Sequence, residues 1–226
     1  MMSVNPEPSP AAQSDQRKRS HRHSAKEACR EILESASRFL RERPFRHLTV
    51  GAVMAGTSLS RSAFYRYFRD VHDLIISLLD EIETVMHETA DPWISGEGEP
   101  VAALRESLRG VVETSVEHGP IFRAIAEAAP LDERLEQAWL SFMGRWDDAV
   151  EFRIIAQQRA GLIPPFDARR IANALNSLDA ALVIAAFGRY PQGDAGEVLE
   201  TMYRVWSSTL YGRLPRTLMN SGKDKE

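Results

Sequence analysis

Residues 60–68 read Ser-Arg-Ser-Ala-Phe-Tyr-Arg-Tyr-Phe and hold the side chains best suited to meeting another molecule. Phe64 and Phe68 stand four apart, so on a helix both point the same way, into a core. Arg61, Ser62, Tyr65 and Arg66 are then left facing outward near the start of that short helix. Such a face suits the major groove of DNA. Arg forks onto a guanine edge, Ser donates or accepts, and Tyr reaches phosphate. Just upstream, Thr49 is placed to cap a short helix whose Val50, Val53 and Met54 face inward. Thr57-Ser58-Leu59 make a tight turn with Leu59 as its apolar plug, and Ser60 caps the helix that follows.

A second constellation lies further along the chain. Leu135, Trp139, Phe142, Met143, Trp146 and Val150 recur at helical spacing and form one stripe. Large aromatics with a methionine on one face either fill a core or line a cavity. Asn176 and Asp179 lie three apart on one side of a mostly apolar helix, and Trp206 faces the same region. A polar pair in such a setting binds a ligand's polar end or finds an internal partner.

Other chemistry is not signalled. The sequence holds no HExxH, CxxC, G-x-S-x-G or glycine-rich phosphate loop, and its six histidines are scattered. His21 and His23 are expected to be solvated rather than metal-binding, and Asp147, Asp148 and Glu151 to sit on a solvated face. Cys29 falls on an apolar stripe with Ile32, Leu33, Ala36, Phe39 and Leu40, which makes it a packed thiol. No catalytic residue, metal site or cofactor is expected.

These groups must be positioned by helices. Hydrophobic residues make up 43% of the 226 and charged residues 27%, a globular balance. Residues 1–69 carry 13 Lys and Arg against 6 Asp and Glu, a net of +7. Residues 70–226 carry 15 against 26, a net of −11. A basic segment on an acidic chain points to an anionic partner, nucleic acid or acidic membrane. No apolar run reaches the roughly 18 residues that span a bilayer, and the polar, proline-rich first residues do not read as a secretory signal. A cytoplasmic location is expected.

Residues 1–23 read as a disordered basic tail. From the Ser24…Glu27 capping box onward the pattern is helical throughout. About nine helices are predicted: one to Pro44, two short ones near 50–56 and 61–67, and one from Asp70 to Pro92. Five more follow, at 101–117, 121–129, 132–160, 167–188 and 195–211. Alternating strand patterns are absent, so the fold class is all-α. The domains are a helix-turn-helix unit at 24–70, a larger helical unit at 71–214, and a disordered tail at 215–226.

The cluster at 60–68, preceded by Leu48-Thr49-Val50 and followed by helix-starting Asp70, resembles the N-terminal signature of the TetR family of one-component regulators. The resemblance implies a three-helix DNA-binding domain with residues 60–66 as recognition helix. It implies DNA contact or groove lining by Thr49, Arg61, Ser62, Tyr65, Arg66 and Tyr67. The chain departs from the family pattern at three points. Ser58 stands where glycine is usual, Met54 where a small alanine is usual, and Val71 where a lysine often meets phosphate; Arg69 or His72 stands near enough to serve instead. Phe142-Met-Gly-Arg-Trp146, Arg170-Ile-Ala-Asn-Ala-Leu-Asn176 and Val205-Trp-Ser-Ser-Thr-Leu-Tyr-Gly212 resemble the EthR-like branch. That branch implies an aromatic-lined ligand tunnel. Here it would be bordered by Trp139, Phe142, Met143, Trp146, Asn176, Asp179 and Trp206.

Residues 178–188 are apolar nearly all round, which requires burial on every side. Ala180, Ala181 and Ala185 allow close approach, and the last helix offers Val198, Leu199, Met202 and Val205. By resemblance, 167–188 and 195–211 form a homodimer interface. The expectation is a ligand-responsive regulator, a repressor released from a palindromic double-stranded operator by a small apolar or aromatic effector. The alternative is a helical enzyme or ligand carrier using the aromatic cavity.

Overall fold

The computed structural model describes residues 10–96 and 98–212, with the backbone alone for 10–24. Among the described residues every regular element is a helix. They are α1 (Pro10–Glu42), α2 (Val50–Met54), α3 (Arg61–Phe64), α4 (Val71–Ser95), α5 (Pro100–Ala128), α6 (Glu133–Arg159), α7 (Ala168–Phe187) and α8 (Ala195–Tyr211). Single 3₁₀ turns occupy Phe45–His47 and Ala129–Leu131. The chain divides into two compact units, residues 1–74 and 75–226. Residues 1–9 of the expected N-terminal tail, and all of the expected tail from 215, lie outside the described residues.

In the first unit, α1 buries Ile32, Leu33, Ala36 and Leu40 on one stripe, with Cys29 and Phe39 half-buried beside it. Val53 and Met54 of α2 and Phe64 and Phe68 are buried in the same unit. The Ser35 hydroxyl donates to the Val53 carbonyl at 2.7 Å, binding α1 to α2. A Cβ on Gly56, two residues beyond α2, would collide with that hydroxyl, which glycine avoids. The backbone of α1 is helical from Pro10, so the helix does not begin at Ser24. Between Pro10 and Pro44 no proline or glycine intervenes, and Ala, Gln, Arg and Lys there favour the helix; Pro10 itself is tolerated in a first turn.

In the second unit α5 packs against both α7 and α8, and α6 lies along α7. Asp132, Asp167 and Asp194 cap α6, α7 and α8, each accepting from backbone N–H groups two or three residues on. Two prolines predicted to end helices do not. Pro120 lies inside α5, so the stretches expected at 101–117 and 121–129 are one helix, and among the described residues there are eight α-helices where nine were expected. Pro120 has no N–H for the carbonyl four residues back, that of Val116. Gln192 supplies the donor instead, with Nε2 at 2.8 Å from the Val116 oxygen and 3.0 Å from that of Phe187. Gly119 lets α7 come this close, because a Cβ there would overlap the Phe187 backbone. Pro92 likewise sits inside α4. Beside it, the Trp93 N–H donates to the Ser107 hydroxyl of α5 at 2.9 Å, and that hydroxyl donates to the Ala90 carbonyl at 2.8 Å.

Among the described residues one helix, α7, is long and apolar enough to cross a membrane, yet only 28% of its apolar window is buried within the chain. It carries Arg169, Arg170, Asn173, Asn176 and Asp179. Ala181 and Ala185 are exposed, and Leu178, Leu182 and Ile184 are half-buried. On α8, Leu199 and Met202 were expected to face a partner. Both are buried inside their own unit, leaving Val198 and Val205 half-buried.

Candidate nucleic-acid interface and ligand cavity

The first candidate site is the α2–α3 segment. Thr49 Oγ1 accepts from the Ala52 N–H at 3.1 Å and starts α2, as a β-region threonine at this position should. In the turn, the Thr57 hydroxyl donates to the Met54 carbonyl at 2.9 Å. Ser58 is held by Glu31 of α1, whose carboxylate accepts from the Ser58 backbone N–H and, at 3.2 Å, from its hydroxyl. These two bonds hold the Glu31 carboxyl below its ordinary value. The hydroxyl bond gives the serine at this turn a use that glycine would lack.

The regular part of the expected recognition helix is shorter than 60–66, with Tyr65 as its C-cap. Phe64 is fully buried and its ring lies 5.5 Å from that of Phe68. The two aromatics anchor α3 by its inner face. Thr49, Arg61, Ser62, Tyr65 and Arg66 are left exposed, and Tyr67 is half-buried. Arg69 is engaged locally, donating from Nη2 to Asp73 Oδ1 at 2.8 Å and from its backbone N–H to Oδ2 at 3.0 Å. Asp70 caps α4 by accepting from the Asp73 N–H at 2.9 Å.

The second site is a cavity in the 75–226 unit, its space about 720 Å³ with the open solvent it reaches included. Trp139, Phe142, Met143, Trp146, Asn176, Asp179 and Trp206 all line it. So does Trp93, which places all four tryptophans of the chain on one wall system. Trp139 and Phe142 stack with centroids 5.6 Å apart and planes 18° from parallel. Trp93 meets Trp206 edge-on at 5.7 Å, and donates through Nε1 to the Tyr211 hydroxyl at 3.0 Å. Outside the cavity lining, His87 stacks on Trp146 at 4.5 Å. Apolar walls with few polar groups are the usual make-up of a small-molecule site.

Sequence reasoning missed the α4 and α5 walls, Met86, Trp93, Leu108 and Phe122 among them. Trp93 was hidden because Pro92 was read as a helix end. It also misplaced Asp147. That residue is not on a solvated face but is buried, with only 3% of its surface exposed. Its Oδ1 accepts from Asn176 Nδ2 and its Oδ2 from Asn173 Nδ2, each at 2.8 Å. Asp148 and Glu151 do face outward, pairing with Arg169.

Asp179 differs from Asp147. One oxygen, Oδ2, accepts from Trp206 Nε1 at 2.9 Å, while Oδ1 is buried without a hydrogen-bond partner. Burial pushes this carboxyl up to about 8, against the smaller opposing pull of the Trp206 bond. Trp146 Nε1 is buried without a partner as well.

With this geometry in hand, similarity to known proteins becomes informative. Residues 104–212 match the family described as transcriptional regulator EthR, C-terminal domain. The chain is 27% identical over 201 residues to the HTH-type transcriptional regulator EthR of Mycolicibacterium smegmatis, covering 88% of this chain and 93% of that one. Its fold is shared with the regulatory protein TetR from Rhodobacter sphaeroides (TM-score 0.66, 17% identity, 81% of this chain and 98% of that one). It is shared too with AibR, crystallised with isovaleryl coenzyme A and operator DNA (TM-score 0.63, 17% identity, 83% and 100%). Over residues 104–212 the chain matches the EthR C-terminal domain, and its similarity to EthR and to the TetR fold spans most of its length.

Proposed function

We propose that this ligand-responsive DNA-binding regulator is a homodimeric cytoplasmic repressor, released from a palindromic operator when a small lipophilic effector fills its cavity. The observation that carries the reading is the gathering of all four tryptophans around one cavity. Plain core would close over such side chains at the density of an organic crystal. A cavity walled by rings and entered by few polar groups suits a small apolar molecule.

Arg61, Ser62, Tyr65 and Arg66 are the groups assigned to the DNA, with Thr49 and Tyr67 beside them. Two copies related by two-fold symmetry would present two α3 helices to successive major grooves, which is why the operator should be a palindrome. The interface assigned to α7 and α8 rests on α7, whose apolar surface the single chain leaves largely uncovered. An effector acts only through a difference in affinity between the DNA-competent form and the other form. The test is a thermal-shift screen of lipophilic compounds followed by operator-binding assays. Hits should raise the melting temperature and weaken operator binding. Compounds that bind without changing DNA affinity would overturn the sensing half of the reading.

A further inference from the structure

Two polar groups on α7 meet the cavity, and both present acceptors. Asn176 spends its Nδ2 on Asp147, so its oxygen is the end not already committed to that partner. Asp179 spends Oδ2 on Trp206 and keeps Oδ1 buried and unpartnered. No lysine, arginine or histidine is among the residues lining the cavity, so this carboxyl has no countercharge there. The walls are the rings of Trp93, Trp139, Trp146 and Trp206 with Phe122 and Phe142. Ring faces carry negative charge density and attract cations.

We propose that the effector carries a protonated amine, whose N–H groups meet Asp179 Oδ1 and the Asn176 oxygen while its apolar body lies among the tryptophans. The proposal rests on the reading of this cavity as the effector site. An ammonium brings donors to both α7 oxygens and supplies the positive charge that no lining residue carries. A neutral ligand ending in a carbonyl can accept from the unpartnered Trp146 Nε1 but brings no donor to either α7 oxygen. Burial pushes the Asp179 carboxyl up to about 8, and an ammonium beside it would draw that proton off again by favouring the carboxylate.

The experiment is a titration of the full-length protein with phenylbutylamine and, separately, with phenylbutanol, its uncharged counterpart. Intrinsic tryptophan fluorescence is the readout, because every tryptophan lines the cavity, and calorimetry gives the affinities. The parent should bind the amine about tenfold or more tightly than the alcohol, as charge-assisted hydrogen bonds and cation–π contacts require. Asp179→Asn should erase that preference. Equal binding of the two probes by the parent, or a preference that survives Asp179→Asn, overturns the amine assignment and leaves the cavity as an effector site for neutral molecules. Failure of both probes to change the fluorescence overturns the cavity reading along with it. If Asp179→Asn does not fold, the comparison of the two probes on the parent decides alone.

Discussion

Asn176 on α7 donates from Nδ2 to Oδ1 of Asp147 on α6 at 2.8 Å, and this one bond fixes which end of the amide is committed. Asn173, one turn earlier, donates to the other oxygen of the same carboxylate. A carboxylate with 3% of its surface exposed is thus satisfied by two amides from one neighbouring helix. It ties α6, which carries Trp139, Phe142 and Trp146, to α7, which carries Asp179.

Removing that carboxylate should therefore loosen the cavity wall. Asp147→Ala leaves two amides without their acceptor and is expected to cost about 2–3 kcal/mol of unfolding free energy, read by urea denaturation. Stability within about 0.5 kcal/mol of the parent would mean that the two bonds contribute nothing net.

Recognition through α3 makes a separate forecast. Tyr65→Ala and Arg66→Ala should each weaken operator binding while leaving the helical circular dichroism signal intact, since both side chains are exposed. Loss of one phosphate contact also lowers the salt slope by about one unit. If both variants hold the operator as tightly as the parent, α3 is not the reading helix.

Asp179 gives a pH dependence with a definite sign. Its folded value of about 8 lies above the ordinary 3.8, so the folded state holds the proton more tightly than the unfolded state does. Its ionisation therefore erodes stability as pH rises between those two values, with no further loss above them. Asp179→Asn removes this erosion. The melting temperature of the variant relative to the parent should climb steadily from acid to mildly alkaline pH. A difference that stays flat, or falls, contradicts the buried and uncompensated carboxyl.

Dimerisation is testable at Ala185, which is exposed on the single chain. A glutamate there costs an isolated chain little but puts an unpaired charge into an apolar interface. Light scattering should show a dimeric parent and a dissociated Ala185→Glu variant at micromolar concentration. A monomeric parent would remove the interface assigned to α7 and α8.

The geometry of the α2–α3 segment was legible because it is local. Phe64 and Phe68 at a spacing of four, with a cap at Thr49, determine which side chains face outward within twenty residues. The cavity was half legible. A stripe on α6 and a polar pair on α7 reveal themselves by helical periodicity alone, and all seven of the residues named from the sequence line the space. What was hidden depends on partners distant in sequence. Ser107 takes up the Trp93 N–H beside Pro92, and Gln192 takes up the carbonyl that Pro120 strands, so two helices run on where the local rule says stop. Asp147 was misread for the same reason. Its burial is made tolerable by amides 26 and 29 residues away, which no window of the sequence displays.

The central claim is that occupancy of the tryptophan-walled cavity controls DNA binding by α3. The most direct test follows both events in one titration. A labelled operator duplex, selected from random DNA with the parent protein, is held on the protein while a lipophilic compound that shifts the tryptophan fluorescence is added. Fluorescence reports the cavity and anisotropy reports the DNA. The account predicts that both signals change over the same range of compound concentration, with anisotropy falling to that of the unbound duplex. Saturation of the fluorescence change while the operator stays fully bound would contradict it.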